Sequence, residues 1–141
     1  KRDPRGRVIT VGYFALVPIK KLHFVASDDA EDAKLIPAVS NQKLAFDHKD
    51  ILQYALKRLR NKVQYTNIVW SLLPKEFTLS EIQKVYETIW GKKMDKRNLR
   101  KKLSSLGLLI PLKIQKQGLR ERPARLYKFK TIRYTELKKI F

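Results

Sequence analysis

The stretch Phe77–Gly107, FTLSEIQKVYETIWGKKMDKRNLRKKLSSLG, predicts two short helices separated by a brief turn. The segment Thr78-Leu79-Ser80-Glu81 has the spacing of a capping box, and Phe77 precedes it as one half of a hydrophobic staple with Ile82. Gly91 and Gly107 mark the two helix ends, and Asp95 caps the second helix. The predicted inward-facing residues are Leu79, Ile82, Val85, Tyr86 and Ile89 in the first helix, and Leu99, Leu103 and Leu106 in the second.

The residues on either side of this stretch extend the same fold. Ile68, Val69, Leu72 and Leu73 form an apolar face that ends at Pro74, which predicts another short helix. After Gly107, the segments Leu109–Lys116 and Ala124–Lys130 alternate between apolar and polar residues and are joined by a basic turn. Three short helices followed by a β-hairpin is the order of a winged helix-turn-helix.

The N-terminal part of the chain has a different pattern. Val8–Val17 is almost continuously apolar and predicts a strand buried on both faces, and Lys34–Val39 predicts a shorter one. Asp47 is placed to cap a helix that continues through apolar residues at helical spacing. We expect a mixed α/β arrangement that is incomplete, since so few elements cannot cover each other. The absence of an initiator Met leads us to expect a fragment of a longer protein.

Positive charge is concentrated in the C-terminal part. The 141 residues include 32 Lys and Arg against 13 Asp and Glu, a net charge of +19. Residues 1–48 carry a net +2, whereas residues 49–141 carry +17. Such an asymmetry favours a basic module that binds a polyanion.

Composition and motifs exclude several classes of protein. The chain has no Cys, which excludes disulfides and Cys-ligated metal sites. No apolar run is long enough to cross a membrane, and no Gly-rich phosphate loop, nucleophile elbow or His-Glu metal motif occurs. His48 lies near Asp47 and Asp50, but helix capping accounts for both carboxylates. We therefore expect a soluble cytoplasmic protein without catalytic residues, metal or cofactor in this chain.

The helix after Asp95 has the charge distribution of a DNA recognition helix. At about 100° per residue its Leu residues share one side, and its cations share the other. An outward cationic face can enter the major groove, where Arg binds guanine and Lys reaches phosphates. The predicted contacts are Arg97, Arg100, Lys101 and Ser104, with Lys96 at the edge. Asn98 and Lys102 lie nearer the flanks, where we expect packing or DNA-backbone contacts.

The hairpin supplies a second cationic group. Its members are Lys116, Arg120, Arg122 and Arg125. Arginine at a hairpin tip suits the enhanced negative potential of a narrow minor groove. Solvated faces are the alternative for both groups, but the capped helices and the basic hairpin agree with one docking geometry on DNA.

The chain resembles a known family at several places. The segments Arg2–Ile9 and Leu16-Val17-Pro18 resemble the part of an ADP-ribose-type Nudix domain that follows its catalytic helix, and Leu44–His48 resembles the start of its last helix. Other segments resemble the C-terminal winged helix of Nudix-related transcriptional regulators, among them the NrtR-like regulators of NAD biosynthesis and sugar-responsive relatives. These segments are Leu72-Leu73-Pro74, Phe77-Thr78-Leu79, Val85-Tyr86-Glu87, Met94–Asn98 and Arg122-Pro123-Ala124.

The resemblance implies an α+β chain with two domains. Residues 1–63 would be the C-terminal remnant of a Nudix-like ligand-sensing domain, a partial α/β segment. Residues 64–141 would be a winged helix-turn-helix that binds a palindromic operator in double-stranded DNA.

The family resemblance also implies a homodimeric repressor whose Nudix-like domain senses a nucleotide or sugar metabolite such as ADP-ribose. Arg2, Asp3 and Arg5 match the family's loop near the ligand. The Nudix box is missing, because that signature needs adjacent glutamates to hold Mg²⁺ and this chain has no Glu-Glu pair. Hydrolysis by this chain is therefore not expected.

Two other functions stay open at this point. The first is a fragment of a Nudix pyrophosphatase with an accessory winged helix. The second is a basic RNA-binding protein, although RNA readers usually offer aromatic side chains for stacking on bases, and the predicted cationic surfaces carry none that stands out.

Overall fold

The computed structural model describes residues 6–7, 9–19, 22–23, 33–40, 43–116 and 123–138. The chain divides into two compact units, Lys1–Arg58 and Leu59–Phe141. Helix α1 (His48–Tyr65) belongs to both, since it begins in the first unit and ends in the second. None of the helices among the described residues is both long enough and apolar enough to cross a membrane.

The two strands predicted in the first unit are absent from its described residues. Residues 9–17 and 34–39 form no β-ladder, so both strand predictions are wrong. Ile9 is 87% exposed and Tyr13 is 92% exposed, the opposite of a strand buried on both faces. A strand is held by hydrogen bonds to a neighbouring strand, and no described residue of this unit supplies such a neighbour to either stretch.

Helix α1 begins after Asp47, as predicted, and continues further than its apolar pattern suggested. The Asp47 carbonyl oxygen accepts hydrogen bonds from the N–H groups of Asp50 and Ile51 at 3.0 and 3.1 Å. In the last turns of the helix Val63 is fully buried, and Leu59 packs against the same core. The end of α1 therefore supplies an inner helix to the second unit.

The helix predicted over residues 68–73 is a 3-10 helix of five residues, Ile68–Leu72, rather than an α-helix. It is short because Pro74 follows closely and because Asn67, at its start, makes no side-chain cap. Among the described residues, the α-helices of this unit are the end of α1, α2 (Leu79–Trp90) and α3 (Lys96–Ser105).

The caps of α2 and α3 are those that the sequence predicts. Thr78 Oγ1 accepts the N–H of Glu81 at 3.2 Å, and the Glu81 carboxylate accepts the N–H of Thr78 at 2.7 Å. Gly91 ends α2 with φ at 67°, a left-handed conformation that glycine adopts without steric cost. The Asp95 carboxylate accepts the N–H of Asn98 at 2.7 Å and so starts α3.

An antiparallel sheet of three strands, in the order β1-β3-β2, completes the second unit. Strands β2 (Leu109–Lys116) and β3 (Ala124–Phe129) form the predicted hairpin, with β3 one residue shorter than predicted. Strand β1 (Phe77–Thr78) pairs with β3 and was not predicted, because two residues are too few to show alternation. Pro111 is accommodated because β2 is the edge strand, at an irregularity in the pairing with β3.

The core of the second unit joins all of these elements. Phe77 packs against Phe129 with ring centroids 5.0 Å apart, and Tyr86 packs against Trp90 at 5.3 Å. The buried cluster is Val63, Val69, Phe77, Ile82, Tyr86, Leu99 and Leu103. Because Leu99 and Leu103 belong to it, the core fixes which side of α3 faces outward.

A segment after β3 returns to the end of α1 and is held there by Asn67. This side chain is 1% exposed. Its amide nitrogen donates to the Arg133 carbonyl at 2.8 Å, and its oxygen accepts the N–H of Thr135 at 2.9 Å. The N–H of Leu137 also donates to the Tyr65 carbonyl at 2.7 Å. The two bonds of Asn67 join residues that are 66 and 68 positions apart in the chain.

Candidate nucleic-acid interface

The outward face of α3 carries every residue that the sequence predicted there. Leu99 and Leu103 are 2% and 1% exposed and pack into the core. The five predicted contacts are all exposed: Lys96, Arg97, Arg100, Lys101 and Ser104. The helix therefore presents Arg97, Arg100, Lys101 and the Ser104 hydroxyl away from its buried leucines, with Lys96 exposed at the edge of this face. Such a face can donate hydrogen bonds to guanine edges and to phosphate oxygens.

Asn98 and Lys102 were expected to pack or to contact the DNA backbone. Both side chains are exposed, so packing is not observed for either one. Lys102 adds a further cation to α3. The contact with a DNA backbone stays a prediction for both.

The start of α3 is anchored by two polar side chains of α2. Gln83 donates to the Met94 carbonyl at 3.1 Å, and the Glu87 carboxylate accepts the N–H of Met94 at 3.0 Å. Gln83 also donates to Glu87 at 3.0 Å. The bonds from Met94 and Gln83, together with the ammonium of Lys93 3.4 Å away, hold the pKa of Glu87 below its usual value. Since Met94 directly precedes the cap of α3, this network fixes the position of the start of α3.

Sequence reasoning missed the anchor formed by Gln83 and Glu87. The two residues lie four positions apart on α2, the spacing of side chains that meet on one helix face. Their partner, however, is a backbone group eleven positions beyond Gln83, which no sequence pattern specifies.

The structure describes only some of the cations that were predicted in the hairpin. Arg125 is exposed on β3, and the backbone of Lys116 lies opposite Ala124 in the register of β2 and β3. Arg120 and Arg122 lie outside the described residues. Lys113 and Lys128 are exposed on the same two strands and were not among the predicted contacts.

Two further groups were considered in the sequence: the expected effector contacts, and His48 with its neighbouring carboxylates, which were interpreted as helix capping rather than as a metal site. Arg2, Asp3 and Arg5 lie outside the described residues. His48 is exposed at the start of α1. Among the described residues, no group of three His, Asp or Glu side chains is arranged to hold a metal ion.

Comparison with known proteins finds a family that matches most of the second unit. Residues 69–129 match the family of the NrtR DNA-binding winged helix domain. The match includes β1, α2, α3 and the hairpin, so the winged helix predicted from the sequence is confirmed, as is the resemblance to NrtR-like regulators.

One curated relative is similar to the chain well beyond the winged helix. The chain is 41% identical over 131 residues to the ADPR responsive transcriptional repressor NtrR of Acinetobacter baylyi, covering 92% of this chain and 52% of that protein. The chain thus spans about half the length of the curated relative that it matches.

Two solved structures are similar to the fold. Shewanella oneidensis NrtR complexed with a 27mer DNA aligns with a TM-score of 0.54 at 34% identity, covering 64% of this chain and 41% of that chain. Another structure of Shewanella oneidensis NrtR aligns with a TM-score of 0.53 at 34% identity, covering 64% of this chain and 40% of that chain.

Proposed function

We propose that this chain is the DNA-binding part of an ADP-ribose-responsive transcriptional repressor, together with a portion of its ligand-sensing domain. The outward cationic face of α3 within an NrtR winged helix is the observation that carries the proposal. Two relatives support it: one is named as an ADPR-responsive repressor, and a similar structure holds DNA.

In this proposal α3 enters the major groove. Arg97, Arg100, Lys101 and Ser104 contact base edges, and Lys96 contacts a phosphate. The core fixes the angle of these side chains through Leu99 and Leu103, so the helix is already oriented before DNA binds. Arginine is suited to this role because its planar guanidinium can donate two parallel hydrogen bonds to one guanine.

The hairpin binds alongside α3 in the same proposal. Lys116, Arg120, Arg122 and Arg125 contact phosphates or the adjacent minor groove. Two copies of the protein bind a palindromic operator, since a two-fold dimer places its recognition helices about one helical turn apart.

The N-terminal part would take part in ligand sensing rather than hydrolysis. Arg2, Asp3 and Arg5 are the proposed ligand contacts, with ADP-ribose as the effector. The chain holds no adjacent glutamates of the kind that bind Mg²⁺ in a Nudix box. The similarity to a repressor favours this function over pyrophosphate hydrolysis. The outward face of α3 carries no aromatic residue for stacking on bases, which disfavours a single-stranded RNA reader.

The test of the proposed function compares the DNA affinity of Arg97→Ala with that of a matched control variant. Each variant is measured on a selected duplex and on random duplexes. An operator sequence is first recovered by binding the chain to a pool of random duplexes. We expect Arg97→Ala to weaken binding to the recovered duplex by about 1–3 kcal/mol while changing random-duplex binding much less. Arg133→Ala is the control, because it removes an equal charge from an exposed position outside α3 and the hairpin.

Equal losses on the two duplexes would show that Arg97 does not read bases. If the pool yields no preferred sequence, or if structured RNA binds as tightly as duplex DNA at the same salt concentration, the proposed function is wrong.

A further inference from the structure

A cleft of about 650 Å³ opens between the end of α1 and the turn that joins α2 to α3. The start of α3 forms one wall, and Trp90 and Met94 also line it. Apart from the carboxylate of Asp95, the polar side chains around it are cations and amides: Arg60, Lys92, Lys93, Asn61, Gln64 and Asn98. These cations and amides can all donate hydrogen bonds, which is the chemistry of an anion site.

Arg60 is held in this cleft by two hydrogen bonds to the end of α2. Its Nε–H donates to the Ile89 carbonyl at 3.0 Å, and its own carbonyl accepts the indole N–H of Trp90 at 3.1 Å. A guanidinium has five N–H groups, and the bond to Ile89 uses the one on Nε. The terminal nitrogens of Arg60 are therefore available to an acceptor while the side chain stays fixed.

The charge around the cleft favours an anion. Arg60, Lys92 and Lys93 contribute three positive charges. Asp95 contributes the one carboxylate of the lining, and its oxygen already accepts the N–H of Asn98 at 2.7 Å. Lys92 and Lys93 are exposed in the turn, with Lys93 lying 3.4 Å from Glu87.

The position of the cleft indicates which anion it takes. A recognition helix enters the major groove with its N-terminal residues at the base edges, and the sugar-phosphate strand that borders the groove passes the preceding turn. The cleft lies at that turn and at the N-terminus of α3, close to Arg97 in the sequence. Phosphate oxygens are bound in such positions by Arg, Lys and amide side chains.

We propose that a backbone phosphodiester of the bound DNA occupies this cleft, held by Arg60 with Lys92 and Lys93. This inference rests on the proposed function, because it assumes that α3 enters the groove. It extends the DNA interface to the end of α1, since Arg60 lies outside the residues 69–129 that match the winged-helix family. Binding there does not read sequence; it sets the depth and angle at which α3 enters the groove.

The test measures DNA affinity as a function of salt concentration for Lys92→Ala, Arg60→Gln and Lys75→Ala in the full chain. Each lost phosphate contact reduces the slope of log K against log salt by about 0.9. We expect that reduction for Lys92→Ala and for Arg60→Gln, with equal fold-losses of affinity on recovered and random duplexes. Lys75→Ala is the matched control, an exposed lysine before β1, and should keep the original slope.

The outcomes separate this inference from the proposed function. If Arg97→Ala acts on the recovered duplex as expected but the two cleft variants keep the slope of the Lys75→Ala control, the cleft proposal alone is overturned. If the chain prefers no duplex sequence, the proposed function fails first.

Arg60→Gln also removes a hydrogen bond to α2, so a loss of fold could imitate a loss of contact. Lys92→Ala avoids this problem because Lys92 is exposed in the turn, and its slope decides the result. ADP titrated without DNA tests a free nucleotide as the source of the phosphate. Saturable ADP binding that is lost in Lys92→Ala, with an unchanged DNA slope, overturns the DNA assignment.

Discussion

The two units of the chain place similar apolar side chains in opposite surroundings. Ile9 and Tyr13 in the first unit are 87% and 92% exposed, whereas Ile82 and Phe77 in the second are fully buried. The difference does not come from residue type, since each pair matches an Ile with an aromatic ring. It comes from neighbours: the second unit buries Ile82 and Phe77 in one core cluster, whereas the described residues 9–19 form no ladder with any strand.

The contrast shows what a buried apolar stripe contributes to stability. Burying apolar surface stabilises a fold by about 25 cal/mol per Å² removed from water, and an exposed side chain contributes almost none of this. Stability of the second unit should therefore depend strongly on its apolar residues, and substitutions at exposed apolar positions of the first should matter little.

The largest expected effect is for Phe77→Ala compared with Tyr13→Ala. Phe77 is fully buried against Phe129, so its truncation should lower the free energy of unfolding by about 3–5 kcal/mol. Tyr13→Ala should change it by no more than about 0.5 kcal/mol, as expected for a surface substitution. Urea unfolding followed by tryptophan fluorescence measures both, because Trp70 and Trp90 lie in the second unit.

If both variants lose a similar amount of unfolding free energy, the apolar side chains of the two units do not differ in how much they stabilise the fold. If Phe77→Ala does not fold, Ile82→Val replaces it, with an expected loss of about 0.5–1.5 kcal/mol from a buried methyl group.

The parts of the fold that the sequence predicted correctly are those whose signals are local. The bounds of α2 and α3 follow from the capping box, from Asp95 and from Gly91, each of which acts within four residues. The outward face of α3 follows from helical spacing in the same way. Strand formation depends instead on partners distant in the chain, which is why β1 was missed and the strand at residues 8–17 was wrongly predicted.

The contacts that position the site are also distant in the chain. The bonds from Asn67 to residues 133 and 135 and those from Gln83 and Glu87 to Met94 involve backbone groups, which carry no sequence signature. No residue pattern distinguishes Asn67 from the exposed Asn61 six positions before it.

The second prediction therefore compares these two asparagines. Asn67→Ala removes two partly buried hydrogen bonds, one to the Arg133 carbonyl and one from the Thr135 N–H, which should cost about 1–3 kcal/mol in total. Asn61→Ala, at an exposed helical position, should leave stability unchanged or slightly higher, because Ala is the better helix former. Chemical denaturation of the two variants measures the difference. Equal free energies of unfolding for the two variants would mean that the bonds from Asn67 to the segment after β3 do not stabilise the second unit.

A smaller effect is expected at Gly91, and Gly6 in the first unit is its control. A Cβ at either position would meet no atom within 4 Å, so crowding cannot distinguish them. Gly91 has φ at 67°, whereas Gly6 is not in the left-handed region. Gly91→Ala should cost roughly 1 kcal/mol from backbone conformation alone, and Gly6→Ala should cost much less. A thermal unfolding midpoint unchanged by Gly91→Ala would show that α2 can end without the left-handed residue.

The smallest expected effect is the pH dependence that Glu87 confers. Its lowered pKa means that folding favours the charged carboxylate, chiefly through the hydrogen bonds from Met94 and Gln83. This stabilisation is present above the usual carboxyl pKa of about 4.3 and is lost as the pH falls through the lowered value in the folded protein. The free energy of unfolding measured from pH 7 down to pH 3 should therefore decline less in Glu87→Gln than in the unsubstituted chain.

Glu76→Gln, at an exposed carboxylate before β1, should reproduce the unsubstituted decline. If Glu87→Gln declines just as steeply, the charge of Glu87 does not stabilise the turn before α3, and the neutral hydrogen bonds to Met94 are enough to hold α3 in place.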